Sequence, residues 1–117
     1  MNRTAIAYGA LLGGLGVALG AFGAHALRDA LSAHQLANFE TGVRYQMYHA
    51  LALLGIGAAG FSTRAATLLL VGTVIFSLSL YILAISGVGI LGAITPIGGV
   101  LQIVGWGMVC FEALRRR

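Results

Sequence analysis

The chain has 117 residues, of which 59% are hydrophobic and only 9% charged. A soluble domain carries about 25% charged residues, so this chain lacks the polar surface to face water and its natural solvent is lipid. Net charge is +4 and every basic residue is an arginine, but three of the seven occupy the last three positions and no basic stripe alternates with aromatics, which argues against a nucleic-acid partner. The single cysteine, Cys110, excludes an internal disulfide and a thiolate metal cluster.

From Thr4 to Ala24 there is no charge. A spanning helix needs about 20 apolar residues, so the first helix is placed at 4–26. The start also has the outline of a cleavable signal peptide; the length of the apolar run argues for a retained span. Gly9, Gly13, Gly16, Gly20 and Ala24 follow one another at spacings of four, three, four and four, which puts them on one helix face. Small residues on such a face let a neighbouring backbone approach closely, which drives helix association in lipid.

A polar connection follows. Ser32-Ala33-His34-Gln35 has the form of a capping box, so the second helix starts near residue 33 and runs to 60. At 1.5 Å per residue it is about 40 Å long, more than a hydrocarbon core of about 30 Å, so its first turns lie among headgroups. Phe61-Ser62-Thr63-Arg64 is a tight turn, and the third helix is placed at 64–85. Ser86-Gly87-Val88-Gly89 and Thr95-Pro96 divide the long apolar remainder. Pro at the first helical position after Thr is a start signal, which places the fourth helix at 96–114. The fold class is all-α, an integral membrane four-helix up-down-up-down bundle in one transmembrane domain.

The end with both termini and the 61–64 turn carries Arg3, Arg64, Arg115, Arg116 and Arg117, whereas the opposite end carries Arg28 and Arg44. The excess predicts cytoplasmic termini in a multi-pass inner-membrane protein.

Polar side chains recur at helical spacing within the apolar runs: Tyr45, Gln46 and His49; Thr73, Ser77 and Tyr81; Gly98, Gln102, Gly105 and Glu112. In hydrocarbon each needs a partner, so each stripe faces inward. Either these groups bond one another and fix helix register, or His25, Tyr45, Gln46, His49 and Tyr81 line a ligand pocket on the outward side. His25 and His49, on antiparallel neighbours, are placed at similar depth and could hold a metal or pass a proton. A third ligand at suitable spacing and a Cys-x-x-Cys-His haem motif are both missing, so no metal and no cofactor are expected. A structural cap or bond remains open for His25. Glu112 reads as an interfacial pair with the arginine tail. Gly13-Gly14-Leu15-Gly16 follows no strand and is not a nucleotide loop.

Four segments carry a resemblance: GAFGAHAL (Gly20–Leu27), TGVRYQMYHALALL (Thr41–Leu54), FSLSLYIL (Phe76–Leu83) and TPIGGVLQIVGW (Thr95–Trp106). In this order and spacing the chain resembles the family known as domain of unknown function 423, small four-helix membrane proteins related to the animal transmembrane protein 256. Ala26 and Leu78 stand where the family tends to carry glycine. At Leu78 the resemblance implies that helix three sits farther from its neighbour.

The resemblance supplies no reaction. A nucleophile with a paired base is not found, so the leading expectation is a non-enzymatic structural or accessory bundle. Its packing faces carry Gly9, Gly13, Gly16, Gly20, Gly98 and Gly105, and its partners are membrane lipids and either further copies or a membrane-protein partner. The alternative is a binding or transport protein for a small ligand, lipid, quinone or metal ion, using the His/Tyr/Gln pocket.

Overall fold

A computed structural model describes residues 1–116. It contains four helices: α1 (Arg3–His25), α2 (Ala33–Ala58), α3 (Thr63–Ser86) and α4 (Leu91–Arg115). Three start on a side chain that accepts from a free backbone N–H. Asn2 Oδ1 takes Ala5 N at 3.2 Å, Ser32 Oγ takes Gln35 N at 3.2 Å, and Ser62 Oγ takes Ala65 N at 3.1 Å. Gln35 Oε1 in turn accepts from Ser32 N at 2.9 Å, which completes the capping box expected there.

The end of α2 comes two residues earlier than the sequence suggests. Gly60, at φ 78°, adopts the left-handed conformation. Phe61 N then donates to Ile56 O at 3.0 Å and Gly60 N to Gly57 O at 3.1 Å, a Schellman closure. Helix α4 corrects the expectation more substantially, since it begins at Leu91 rather than Pro96. A run of short i→i−3 bonds from Leu91, Gly92 and Ala93 back to Val88, Gly89 and Ile90 starts the helix before the proline is reached. Pro96 therefore lies inside the helix and leaves the Gly92 carbonyl without its usual donor. Thr95 caps nothing: its hydroxyl lies 3.3 Å from Leu91 O and 2.6 Å from Ser79 Oγ on α3.

Helices α1, α3 and α4 are each long and apolar enough to cross a membrane. The more polar α2 lies between α1 and α3, where neighbouring helices flank it on both sides. The chain zigzags in sequence order, with α1 on α2, α2 on α3 and α3 on α4, and only a light contact between α1 and α3. Helices α1 and α4 form no packed interface, so the up-down-up-down arrangement is an open, flattened one of 52 × 26 × 16 Å.

Glycines set the crossings. A Cβ at Gly9 would meet Ala50 O at 2.6 Å, and one at Gly105 would meet Leu69 Cδ2 at 2.8 Å. At Gly16 it would collide with Met47 Sδ, and at Gly98 with the backbone nitrogen of Phe76. Gly20 is close to Val43, whereas Gly13 makes only ordinary contact with Ala50. Gly23, Gly42, Gly57 and Gly72 are as tightly packed as the expected positions. Leu78 does not hold α3 away from its neighbours. Its side chain is 51% exposed, while α3 meets α2 across Gly42 and α4 across Gly72. Ala26 is right-handed at the end of α1, with φ −86°, where glycine offers no advantage.

The end bearing both termini is tied by side chains. Asn2 Nδ2 donates to Phe61 O at 2.8 Å and to Thr63 Oγ1 at 3.0 Å. Among the described residues Glu112 makes no ion pair with the arginine tail; its carboxylate accepts from Ser62 N at 3.0 Å and Ser62 Oγ at 2.7 Å. It thus places negative charge at the α3 N-terminus, where the helix dipole favours it. Arg116 donates to Ala59 O at 2.8 Å and lies 3.8 Å over the Phe61 ring.

Candidate functional site

Two of the five singled-out residues bond side chain to side chain. Tyr81 O–H on α3 donates to Gln46 Oε1 on α2 at 2.6 Å, and Gln46 Nε2 donates to Leu12 O on α1 at 2.9 Å. One turn away along α2, Ser77 Oγ donates to Gly42 O at 2.7 Å. Gly42 makes this junction possible, because a Cβ there would lie 2.6 Å from Tyr81 Cε1. Phe39 closes the loop side, its ring centroid 4.8 Å from that of Tyr81. Three helices are thereby joined through one buried amide whose oxygen and nitrogen are both engaged.

His49 faces elsewhere. Trp106 Nε1 on α4 donates to His49 Nε2 at 3.0 Å, and His49 Nδ1 lies 2.8 Å from Tyr45 O. An indole N–H can only donate, so Nε2 is the acceptor and the ring proton sits on Nδ1, directed at the Tyr45 carbonyl. This assigns the neutral tautomer. Tyr45 contributes that carbonyl, while its ring packs on Phe76 at 4.8 Å and is 38% exposed. His25 is exposed at the last residue of α1. The expectation of two histidines at similar depth is corrected: His49 lies sixteen residues into α2, about 24 Å from the loop end where His25 sits. Among the described residues, no three His, Cys, Asp or Glu side chains come together as a ligand set.

The remaining inward polar groups also pair across helices. Gln102 Nε2 donates to Thr73 Oγ1 at 3.2 Å, and the hydroxyls of Ser79 and Thr95 hydrogen-bond at 2.6 Å. Among the described residues, no buried side-chain nitrogen or oxygen is left without a partner.

Of the five residues expected to line an outward-side pocket, Gln46 and Tyr81 lie at the base of a groove, whereas His25, Tyr45 and His49 do not line it. It holds about 620 Å³ between α1 and α3, with α2 as its floor. Leu15, Leu19 and Phe22 form one wall, Leu78, Ile82 and Ile85 the other, and Gln46, Thr73, Ser77 and Tyr81 lie at the base. Sequence patterning does not reveal it, because its walls are the same apolar residues that any lipid-facing helix presents. The Trp106–His49 bond was open to inference, since a donor-only indole on a helix needs an acceptor. The Ser62–Glu112 bond spans fifty residues and leaves no local pattern.

The family model described as "Protein of unknown function (DUF423)" matches residues 19–99. The chain belongs to the DUF423 family. It is 51% identical over 109 residues to the UPF0382 membrane protein SSP2132 of Staphylococcus saprophyticus, covering 89% of this chain and 91% of that one. It is 44% identical to the UPF0382 membrane protein YwdK of Bacillus subtilis, over 94% of this chain and 95% of the relative. Against the UPF0382 inner membrane protein YgdD of Escherichia coli K12 the identity is 38%, over 97% and 92%. No solved structure matches at a significant level. With these relatives and its three apolar spans, this DUF423 member is a membrane protein of a family whose function is undefined. The matched segment contains Tyr45, Gln46, His49 and Tyr81, while Gln102, Trp106 and Glu112 lie beyond it.

Proposed function

We propose that this protein is a non-enzymatic accessory protein of the bacterial inner membrane, which self-associates or joins a larger membrane assembly through the outer faces of α1 and α4. One observation carries the reading: among the described residues the buried polar side chains are satisfied internally, yet the two outer helices have no packed interface to each other. On α4 only Gly98, Gln102 and Gly105 are buried. The opposite seam of Val100, Val104, Gly107, Phe111 and Leu114 is exposed along its length, at the three-four spacing of a helix–helix contact. Nothing lies within 4 Å of a Cβ at Gly107, or at Gly14 on α1, so each leaves room for another backbone. The arginine excess supports cytoplasmic termini, with the loop end outward.

The test uses the exposed Cys110, one residue from this seam, as a reporter. Oxidative crosslinking in native membranes is expected to give a disulfide-linked species, and Gly107→Phe to remove it. A monomer by native mass measurement, with no crosslink to any protein at physiological expression, sinks the proposal.

A further inference from the structure

We infer that the groove between α1 and α3 is a seat for one acyl chain of a phospholipid from the leaflet at the loop end. The first argument is length. The walls run from Leu12 to Phe22 on α1 and from Thr73 to Ile85 on α3. At 1.5 Å per residue these are about 15 and 18 Å. One leaflet of a hydrocarbon core about 30 Å thick is about 15 Å deep. Leu12 and Thr73 lie near the middle of their helices, whereas Phe22 and Ile85 occupy the last turns, so the groove covers the loop-side leaflet and stops near the midplane.

The second argument is shape. Leu15, Leu19 and Phe22 face Leu78, Ile82 and Ile85 across the groove, with Gln46, Thr73, Ser77 and Tyr81 at its base, so a helix of a second copy would rest on the two walls, whereas a hydrocarbon chain can follow the trough between them. The third argument is chemistry. The walls are hydrocarbon and the polar groups at the base are already hydrogen-bonded within the protein, so the surface matches an alkyl chain. A chain in the groove touches three helices, where one on the outside of α4 touches a single helix, and dispersion contacts accumulate accordingly. This inference does not depend on the assembly reading, which uses other faces.

The test places the full-length protein in phosphatidylethanolamine–phosphatidylglycerol vesicles containing a phospholipid with a diazirine at its acyl terminus. Photolabelling followed by peptide mapping is expected to put adducts near Leu12, Thr73 and Val74. Moving the diazirine next to the ester should shift them to Phe22, Ile82 and Ile85. Ala18→Trp and Leu78→Trp fill the groove from exposed positions and should abolish these adducts, while Val100→Trp on α4 should leave them intact. Adducts spread evenly over Val100, Ile103 and the groove walls would mean bulk lipid alone and overturn the inference. So would disulfide dimers of Leu78→Cys in a Cys110→Ser background without groove adducts, which would assign the groove to a second copy.

Discussion

Replacing Gly98 with alanine inserts a methyl group where α4 crosses α3. The new Cβ would collide with Phe76 N and stand 2.6 Å from Gly72 O and 2.9 Å from Phe76 Cα. All three are backbone atoms, so no side chain can rotate away. An ordinary contact starts at 3.4 Å against the 2.6 Å to Gly72 O, and Phe76 N is closer still, so the two helices must separate by at least about 0.8 Å. That would also stretch the Gln102–Thr73 bond next to the crossing, which is already 3.2 Å long. Overpacking of this kind costs about 1–3 kcal/mol. The substitution also gains helix propensity, up to about 1 kcal/mol. Gly107→Ala on the same helix has the same propensity gain and nothing within 4 Å of its Cβ, so the two variants isolate the packing cost. Unfolding in mixed micelles of mild detergent and dodecyl sulfate, followed by circular dichroism, should rank Gly107→Ala above Gly98→Ala by about 1–3 kcal/mol. Equal stabilities would refute the argument that backbone contact at Gly98 holds α4 to α3.

Three further outcomes follow from the hydrogen bonds. Tyr81→Phe removes the donor to Gln46 Oε1, and in the same unfolding assay should cost between about 0.6 and 1.7 kcal/mol; adding Gln46→Leu, which also gives up the bond to Leu12 O, should cost more. Nitrogen-15 resonances of the His49 ring should show a protonated Nδ1 and a bare Nε2; Trp106→Phe should move the Nε2 signal and leave Nδ1 protonated. Glu112→Ala breaks both bonds from Ser62 and should cost about 1.5–3 kcal/mol by thermal unfolding, whereas Glu112→Gln keeps an acceptor and should lose about 0.3–1 kcal/mol.

Much of the fold could be read because its determinants are local. The capping box at Ser32 and Gln35 forms both of its bonds, since the two residues are three apart and nothing tertiary is needed. Gly9, Gly16, Gly98 and Gly105 pack as their spacing implies, because a bare backbone on an apolar helix has little other use. Pro96 misled because the start signal at Thr95-Pro96 is also local, while the true start is set by the short bonds behind it. The candidate site was legible only in part. Gln46 and Tyr81 carry polar atoms that must find each other in hydrocarbon, and they do. Depth and direction are tertiary quantities: His49 turns to α4 and His25 stays at the loop end, and no spacing within one helix encodes either. The groove depends on where α4 is absent, which no residue in its walls records.

The ties at the terminal end also bear on how the protein is made. Asn2, the Phe61–Thr63 turn, Glu112 and Arg116 come from before α1, from the α2–α3 turn and from the end of α4, yet bond within one cluster. A ribosome delivers them in that order, so the first two can join when α3 emerges, but the Ser62 bonds wait for Glu112 in the final turn of α4. Insertion therefore includes a late fastening step: α3 enters the bilayer capped by its own Ser62, and its carboxylate partner arrives only with the last turn of α4. Chains truncated before residue 112 should accordingly carry a frayed first turn of α3 and be lost to quality-control proteases, even though three complete helices are already inserted.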